Sequence, residues 1–595
     1  MRLTFKEKAA YGLGAVGKDM VYMLSASYVL YYFQDVLGVS AIAMGIILLA
    51  ARVFDAFNDP IMGVIVAKTQ TRWGKFRPWL LIGTVTNAIV LFVMFAAPPS
   101  LDGGGLVAYA AITYILWGVT YTMMDIPYWS MIPAFTEGGK ERENLSALAR
   151  SCAGVGSAIV TIITVLAVSA LGNAVASKSA DNITKDYTGE SLTIYLVEKD
   201  DADATTGNVT ELTSGTLSLT ADSSEFEKAT YYTEESTNSE IKIGDYDFSD
   251  SMYVAIDGDT ASIALYVDQE DYASITAQSN PELSATVNST KTVERYGFKY
   301  FSLIIAVLFV VFVTITCIGI KEKSTVDMQT ATVKEMFGAL LSNDQAMTVV
   351  ITIVLVNIAT YITSNLLIYF FKYDLAGDNW QGNYTLFNTF AGAVQILAMM
   401  IMFPILRKFF TTIKTFMICV IASIAGYIIL LTMALAGVSS VYPFLIPGFF
   451  IMAAVGVMNV LVTIFLANTV DYGELKNNRR DESIIFSMQT FVVKLASGIA
   501  ALVASIALSV FKIGTSSDFE IVDGSAVKGL AAMIDTIKAT GAQAVSGSSV
   551  VGLRLTMTLV PIFGLIVAIV LFNKKYILTD EKIEEISAKL KGQKK

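Results

Sequence analysis

The chain contains no histidine in 595 residues. That absence removes histidine proton relays and most zinc sites. Cysteine is nearly missing too: Cys152, Cys317 and Cys419 lie far apart in apolar segments, with neither metal-ligand spacing nor a disulfide framework. Charged residues make up only 16% of the chain, against 54% hydrophobic residues and a mean hydropathy of +0.58. Soluble domains do not sustain that composition. No nucleophile–base pair and no metal motif stands out, so an enzyme is not expected. Nor is a nucleic-acid partner.

What is present is a series of long apolar runs. A membrane-spanning helix needs about 20 such residues. Twelve candidates fall near 11–35, 40–67, 79–99, 106–134, 146–171, 298–320, 344–372, 384–404, 412–437, 441–470, 483–511 and 550–573. Lys and Arg crowd alternate loops: Lys68, Arg72, Lys75 and Arg77; Lys140 and Arg142; Lys321 and Lys323; Arg407, Lys408 and Lys414; Lys476, Arg479 and Arg480. The loops Phe33 to Ser40, Pro98 to Leu106 and Ala434 to Val441 have almost none. Basic loops stay in the cytoplasm, so both termini are expected there. The first run reads as an uncleaved span, because no small-residue cleavage site follows it.

The net charge of −10 is unevenly spread. Residues 173–290 hold 23 acidic and 5 basic residues, a net of −18, which leaves the remainder basic at +8. Short β-branched and aromatic runs occur there, at Leu192–Val197, Met252–Ile256 and Ala261–Val267, with Asp257-Gly-Asp259 as a hairpin turn between the last two. The expected organisation is helices 1–5 in 1–172, a small acidic all-β extracellular insert in 173–297, helix 6 and the start of a cytoplasmic loop in 298–325, helices 7–12 in 326–577 and a cytoplasmic tail in 578–595. A solvated loop is the alternative for the insert, and its partner is unknown.

The two halves echo each other. Acid-Gly-Lys-Arg-acid loops follow the fourth span (Thr136 to Asn144) and the tenth (Asp471 to Glu482). Internal repeats in a twelve-helix protein imply a transporter whose site lies at the repeat interface.

Polar clusters interrupt the apolar helices. Arg52-Val-Phe-Asp55-Ala-Phe-Asn58-Asp59-Pro60 is the densest. A charge at the bilayer centre costs roughly 2.5–3.5 kcal/mol, and Asp55 and Asp59, four residues apart, share a helix face. Crowded carboxylates need a compensating cation. Asp55, Asp59, Asp125 and Thr122 supply the hard oxygen ligands that sodium favours. A sugar wants carboxylate and guanidinium partners for its hydroxyls and a flat aromatic against its ring. Asp19, Asp125, Arg150 and Trp129 fit that need. Blander roles stay open. Asp55 and Asp59 can form an ion-pair network with Arg52, and Lys18 and Asp19 a local bridge. Lys494 can neutralise a carboxylate across the interface, and Trp129 can be a packing anchor. The loop Arg72 to Trp79 can be a positive-inside determinant or a gate.

The strings Tyr11-Gly-Leu-Gly-Ala-Val-Gly-Lys18-Asp19, RVFDAFNDPIMG, TRWGKFRPW, WGVTYTMMDIPYWS, VDYGELK and ESIIFSMQTFVVK together resemble the glycoside–pentoside–hexuronide:cation symporters of the major facilitator superfamily. They cover both halves and leave out the insert. The resemblance implies an all-α membrane protein of two six-helix halves, carrying a sugar with Na+ (or Li+ or H+) as coupling ion and using no cofactor. It implies a cation site at Asp55, Asp59, Asp125 and Thr122. It implies a sugar site at Lys18, Asp19, Tyr121, Asp125, Trp129, Arg150, Gln489, Thr490 and Lys494. Coupling or gating is expected of Arg52, Asn58, Asp471, Glu474 and Arg480. Asn459 and Asn468 stand where the family type has a tryptophan and an aspartate, so one aromatic wall of the pocket is missing. Rival readings are a transporter-like sugar sensor that uses the insert, and an exporter on the same fold.

Overall fold

The computed structural model describes residues 3–132, 140–176, 182–199, 206–222, 228–233, 239–244, 246–248, 252–257, 259–278, 280–322, 338, 341–375, 380–438, 440–477, 482–513 and 547–593. Among them are twelve long helices in two sets of six. The first set begins with α1 (Phe5–Tyr31), α2 (Ala41–Lys68), α3 (Arg77–Met94), α4 (Gly103–Ser130) and α5 (Lys140–Ala176). It closes with α6 (Thr290–Gly319) after the insert. The second set is α7 (Asp344–Tyr369), α8 (Trp380–Leu397), α9 (Thr412–Leu435), α10 (Val441–Asn477), α11 (Glu482–Val510) and α12 (Gly547–Lys575).

Eleven of the twelve are long and apolar enough to cross a membrane. The twelfth, α1, has the length, at 27 residues, but carries Lys6, Glu7, Lys8, Lys18 and Asp19. Its start is fixed by a capping box: the Thr4 hydroxyl accepts from the Glu7 amide, and the Glu7 carboxylate accepts from the Thr4 amide. Met400, Phe563 and Ile318 stand outward, as a lipid-facing surface requires.

Within the first set α1 packs on α5 and α6, and α4 on α2 and α3. The α5–α6 pair is close because glycines face backbone there. A methyl at Gly172 would overlap the Val293 carbonyl, and one at Gly297 the Val168 carbonyl. The two sets meet along α2–α11 and α5–α8, partners that a two-fold repeat of six helices exchanges.

α1 and α7, the first helix of each set, both run on into a single π turn, Tyr32–Val36 and Phe370–Asp374. The sequence reading placed Phe33 to Ser40 in an outer loop. Instead the extra residue per turn rotates Gln34 and Asp35 into the interior, where both are buried. α6 likewise starts at Thr290, ahead of its apolar run, so the helix carries Glu294 and Arg295 on its first turns.

The insert is a two-sheet sandwich. Its strands are β1 (Asn182–Thr188), β2 (Leu192–Lys199), β3 (Thr206–Leu212), β4 (Ser214–Asp222), β5 (Lys228–Thr233), β6 (Ser239–Ile243), β7 (Tyr246–Phe248), β8 (Met252–Asp257), β9 (Thr260–Val267) and β10 (Glu282–Asn288). One sheet has the order β1-β4-β10-β6-β7 and the other β3-β2-β9-β8-β5. The hairpin read from Asp257-Gly-Asp259 is there, with Asp257 opposite Thr260. Alternate residues point inward, so Ile194, Leu196, Leu217, Leu219, Ile263 and Leu265 build a core separate from that of the helices. A short helix, Gln269–Thr276, adds Ile275 to that core.

Candidate functional site

Two polar clusters lie side by side between α1, α2, α4 and α11. The first is built around Lys18, whose side chain is 5% exposed. Its ammonium lies 2.9 Å from Asp19 and 2.8 Å from Asp125, and donates to the Tyr121 hydroxyl at 3.0 Å. The same ammonium stands 5.2 Å from the Trp129 ring. Trp129 donates its indole N–H to Asp125 at 3.1 Å, the one-turn spacing expected on α4. The exposed Arg150 guanidinium stacks over the other part of this site, 5.1 Å from the Trp129 ring. Below it, Tyr11 and Tyr128 clasp α1 to α4: each hydroxyl donates to the other residue's carbonyl, at 2.6 and 2.7 Å.

The second cluster lies on the α2 face that carries Asp55 and Asp59. Arg52 donates to Asp55 at 3.3 Å. The other Asp55 oxygen fits against Gly118 of α4, where an added methyl would come within 2.8 Å of it. Gly118 thus leaves room for a carboxylate at the helix crossing. Asp59 accepts from the Thr122 hydroxyl at 2.9 Å on one oxygen and pairs with Lys494 of α11 on the other. Lys494 also feels the field of Asp55 and of Asp125, so Asp125 links the two clusters.

Each expected site residue can now be placed. Asp55, Asp59, Thr122, Arg52 and Lys494 come together, and so do Lys18, Asp19, Tyr121, Asp125, Trp129 and Arg150. Lys494 therefore stands with the cation-site candidates and bridges the two halves through Asp59. Asp55, Asp59 and Asp125 do not converge on one point: among the described residues no three acidic, His or Cys side chains gather as metal ligands. Each is instead turned to its own basic partner. The Asn58 amide donor is buried without a hydrogen-bond partner. Gln489 is half-buried on α11; the side chain of Thr490 and the whole of Arg480 lie outside the described residues. Asp471 and Glu474 are half-buried near the end of α10. Their neighbours Tyr472 and Lys476 hold Asp344 at the start of α7, at 3.2 and 2.5 Å.

Sequence reasoning missed two features. Glu322 accepts the backbone N–H groups of Lys75, Phe76 and Arg77 at 2.7, 3.0 and 3.1 Å, and so ties the Arg72–Trp79 loop to the end of α6. The second is a charged cluster at the insert side, described below.

The arrangement is a transporter-type centre: ionisable groups buried midway along apolar helices, at the junction of two repeated halves. A match to the family described as MFS/sugar transport protein covers residues 10–195 and 275–580. The chain belongs to that family, which is one of membrane transporters and not of enzymes. The gap between the two matched stretches is the middle of the insert. A putative glycoside/cation symporter, YagG of Escherichia coli, is 38% identical over 171 residues, 29% of this chain and 37% of that protein. The chain thus spans about a third of the length of such curated relatives in the matched region. The raffinose carrier protein of Pediococcus pentosaceus is 21% identical over 98% of this chain and 70% of its own length. Among solved structures, a bacterial homologue of the human lysosomal transporter Spinster shares the fold, with a TM-score of 0.54 and 11% identity over 98% of this chain and 97% of that one.

Proposed function

We propose that this protein is a symporter that carries a glycoside or related sugar into the cell, driven by sodium. The observation that carries the reading is a charge count. Among the described residues the two clusters hold four carboxylates (Asp19, Asp55, Asp59 and Asp125) against three buried cations (Lys18, Arg52 and Lys494). The Arg150 guanidinium beside Trp129 is exposed and screened by solvent, so the buried groups alone carry one negative charge in excess, which favours taking up one monovalent cation. Thr122 beside Asp59 adds a neutral oxygen ligand. The incoming ion would displace the Lys494 ammonium from Asp59, and Li+ or H+ fits the same count.

Sugar and cation are coupled through Asp125. It holds Lys18 and Trp129 on the sugar side and acts on Lys494 on the cation side. Filling one site changes the charge that the other sees, and the coupling is reciprocal. The side chains of Asp19, Asp125 and Asp59 are 21%, 24% and 25% exposed, so neither cluster is sealed off. The halves would rock around this centre, with the insert outside the cell. Uptake of labelled α- and β-glycosides, xylosides and glucuronides into membrane vesicles, with and without an inward sodium gradient, tests the reading. Binding without exchange would favour the sensor, and gradient-driven efflux the exporter.

The insert is expected to be separable from this mechanism. Its core is distinct, and the helix ends that flank it already touch, Gly172 against Val293. Replacing residues 178–288 with a short Gly/Ser linker should leave sodium-stimulated uptake per inserted molecule within about twofold, because loop-closure cost changes only logarithmically with length. Loss of uptake from correctly inserted protein would make the insert part of the mechanism.

A further inference from the structure

The charged cluster at the insert side has no role in either site described so far. It is formed by the two π turns that end α1 and α7. Lys372 of the second half reaches across to the first half. There its ammonium lies 2.6 Å from Asp35 and 3.8 Å from Glu294, and donates to the Tyr31 hydroxyl at 2.7 Å. Tyr31 in turn donates to Glu294 at 2.7 Å. Tyr373 donates to the second oxygen of Asp35 at 2.6 Å. Two further contacts cross between the halves at this level: Gln34 donates to the Ile513 carbonyl at 3.1 Å, and Tyr31 and Tyr369 meet edge to face. The two turns are related in sequence as well, Tyr31-Tyr32-Phe33-Gln34-Asp35 against Tyr369-Phe370-Phe371-Lys372-Tyr373. Corresponding turns of the repeat therefore meet each other.

The charges do not balance. One half supplies two carboxylates and the other a single ammonium. If the halves part, Lys372 leaves with its own half, and Asp35 and Glu294 stay behind on α1 and α6. Both lie within 4 Å of the same ammonium, so without it they face each other as like charges. Among the described residues no other cation pairs with Asp35 or Glu294. Arg295 donates to the Ala97 carbonyl at 2.9 Å, and Arg554 is paired with Asp374 at 2.8 and 2.5 Å. Among the described residues, the remaining groups facing Glu294 are the Tyr31, Tyr369 and Tyr373 phenols and the Trp380 ring. None of these is a cation.

We propose that Asp35, Glu294 and Lys372 form a latch on the insert side that an external proton releases: when Lys372 withdraws, the two carboxylates left behind share one proton in its place. The open state then holds one more proton than the closed state, so acid outside favours opening. The proposal rests on the alternating-access reading above, but not on which sugar or ion is carried.

The test places a cysteine at Ser169, which is buried beside Glu294 and Trp380 in the small cavity under the latch. The background carries serine at Cys152, Cys317 and Cys419. Labelling by a membrane-impermeant thiol reagent then reports opening. Between about pH 7.5 and about pH 5 the labelling rate, corrected for the thiolate fraction of a small thiol, is expected to rise about fivefold or more, because two carboxylates left side by side hold a shared proton more readily than one alone. Glu294→Gln leaves one carboxylate for one ammonium and should abolish that pH dependence. Lys372→Met should give fast labelling at both pH values. Equal rates at both pH values in the intact latch, or a pH dependence that survives in Glu294→Gln, would overturn the proposal. Labelling of the SDS-unfolded protein checks that the thiol is intact. Failure of sugar uptake with the labelling pattern preserved would count against the transport reading and leave the latch standing.

Discussion

Replacing Asp59 with cysteine is expected to abolish sodium stimulation of uptake while sugar exchange across the membrane stays measurable. Asp59 is the carboxylate on which Thr122 and Lys494 converge. Removing it takes the buried groups from four carboxylates to three against three buried cations, so the buried surplus charge that would attract sodium is gone. The stimulation lost should be about tenfold or more, since the interaction of an ion with a half-buried carboxylate, at an effective dielectric of about 20, exceeds the 1.4 kcal/mol that corresponds to tenfold. The fold should survive, because Lys494 keeps Asp55 and Asp125 within its field. Lys18, Asp19 and Trp129 keep their mutual contacts, which is why sugar exchange should persist. The measurement is exchange and sodium-driven uptake side by side, normalised to protein in the membrane. Unchanged sodium dependence would remove Asp59 from the cation site.

Much of this centre was legible in the sequence because helix periodicity is rigid. The i, i+4 spacing of Asp55 and Asp59, and of Asp125 and Trp129, fixed which side chains share a face, and the structure puts each pair on one side of its helix. The β-branched and aromatic runs Met252–Ile256 and Ala261–Val267, with Asp257-Gly-Asp259 between them, marked the insert's hairpin, because turn chemistry is also local. Partner choice was not legible. Whether Lys494 serves the sugar or Asp59 depends on how α11 lies against α2, and no local pattern encodes a crossing between halves. The π turns were invisible for a different reason. One added backbone residue leaves composition unchanged, yet it turns Asp35 from an outer loop residue into a buried one. The repeated Tyr-Tyr-Phe and Tyr-Phe-Phe triplets just before Gln34 and Lys372 were the available signal.

Replacing Trp129 with alanine should weaken sugar affinity about tenfold or more, within the span that a loss of about 1–3 kcal/mol produces. The indole does two things at once. Its ring stands 5.2 Å from the Lys18 ammonium and 5.1 Å from the Arg150 guanidinium, so it offers a flat wall beside two donors. Its N–H holds one oxygen of Asp125 at 3.1 Å. Alanine removes both, which leaves a sugar ring without an apolar face to lie on and Asp125 held by Lys18 alone. Phenylalanine at the same position keeps the flat face but not the N–H, so it should recover most of the affinity if stacking dominates. Asp19→Ala removes a hydroxyl acceptor and frees Lys18 toward Asp125, and a similar loss is expected. Equilibrium binding of a labelled glycoside to purified protein checks all three variants, with circular dichroism and membrane yield as controls on folding. Wild-type affinity in both Trp129→Ala and Asp19→Ala would move the sugar pocket away from the Lys18 cluster. Loss of affinity in Asp19→Ala alone would make the indole a packing element that holds Asp125 in place.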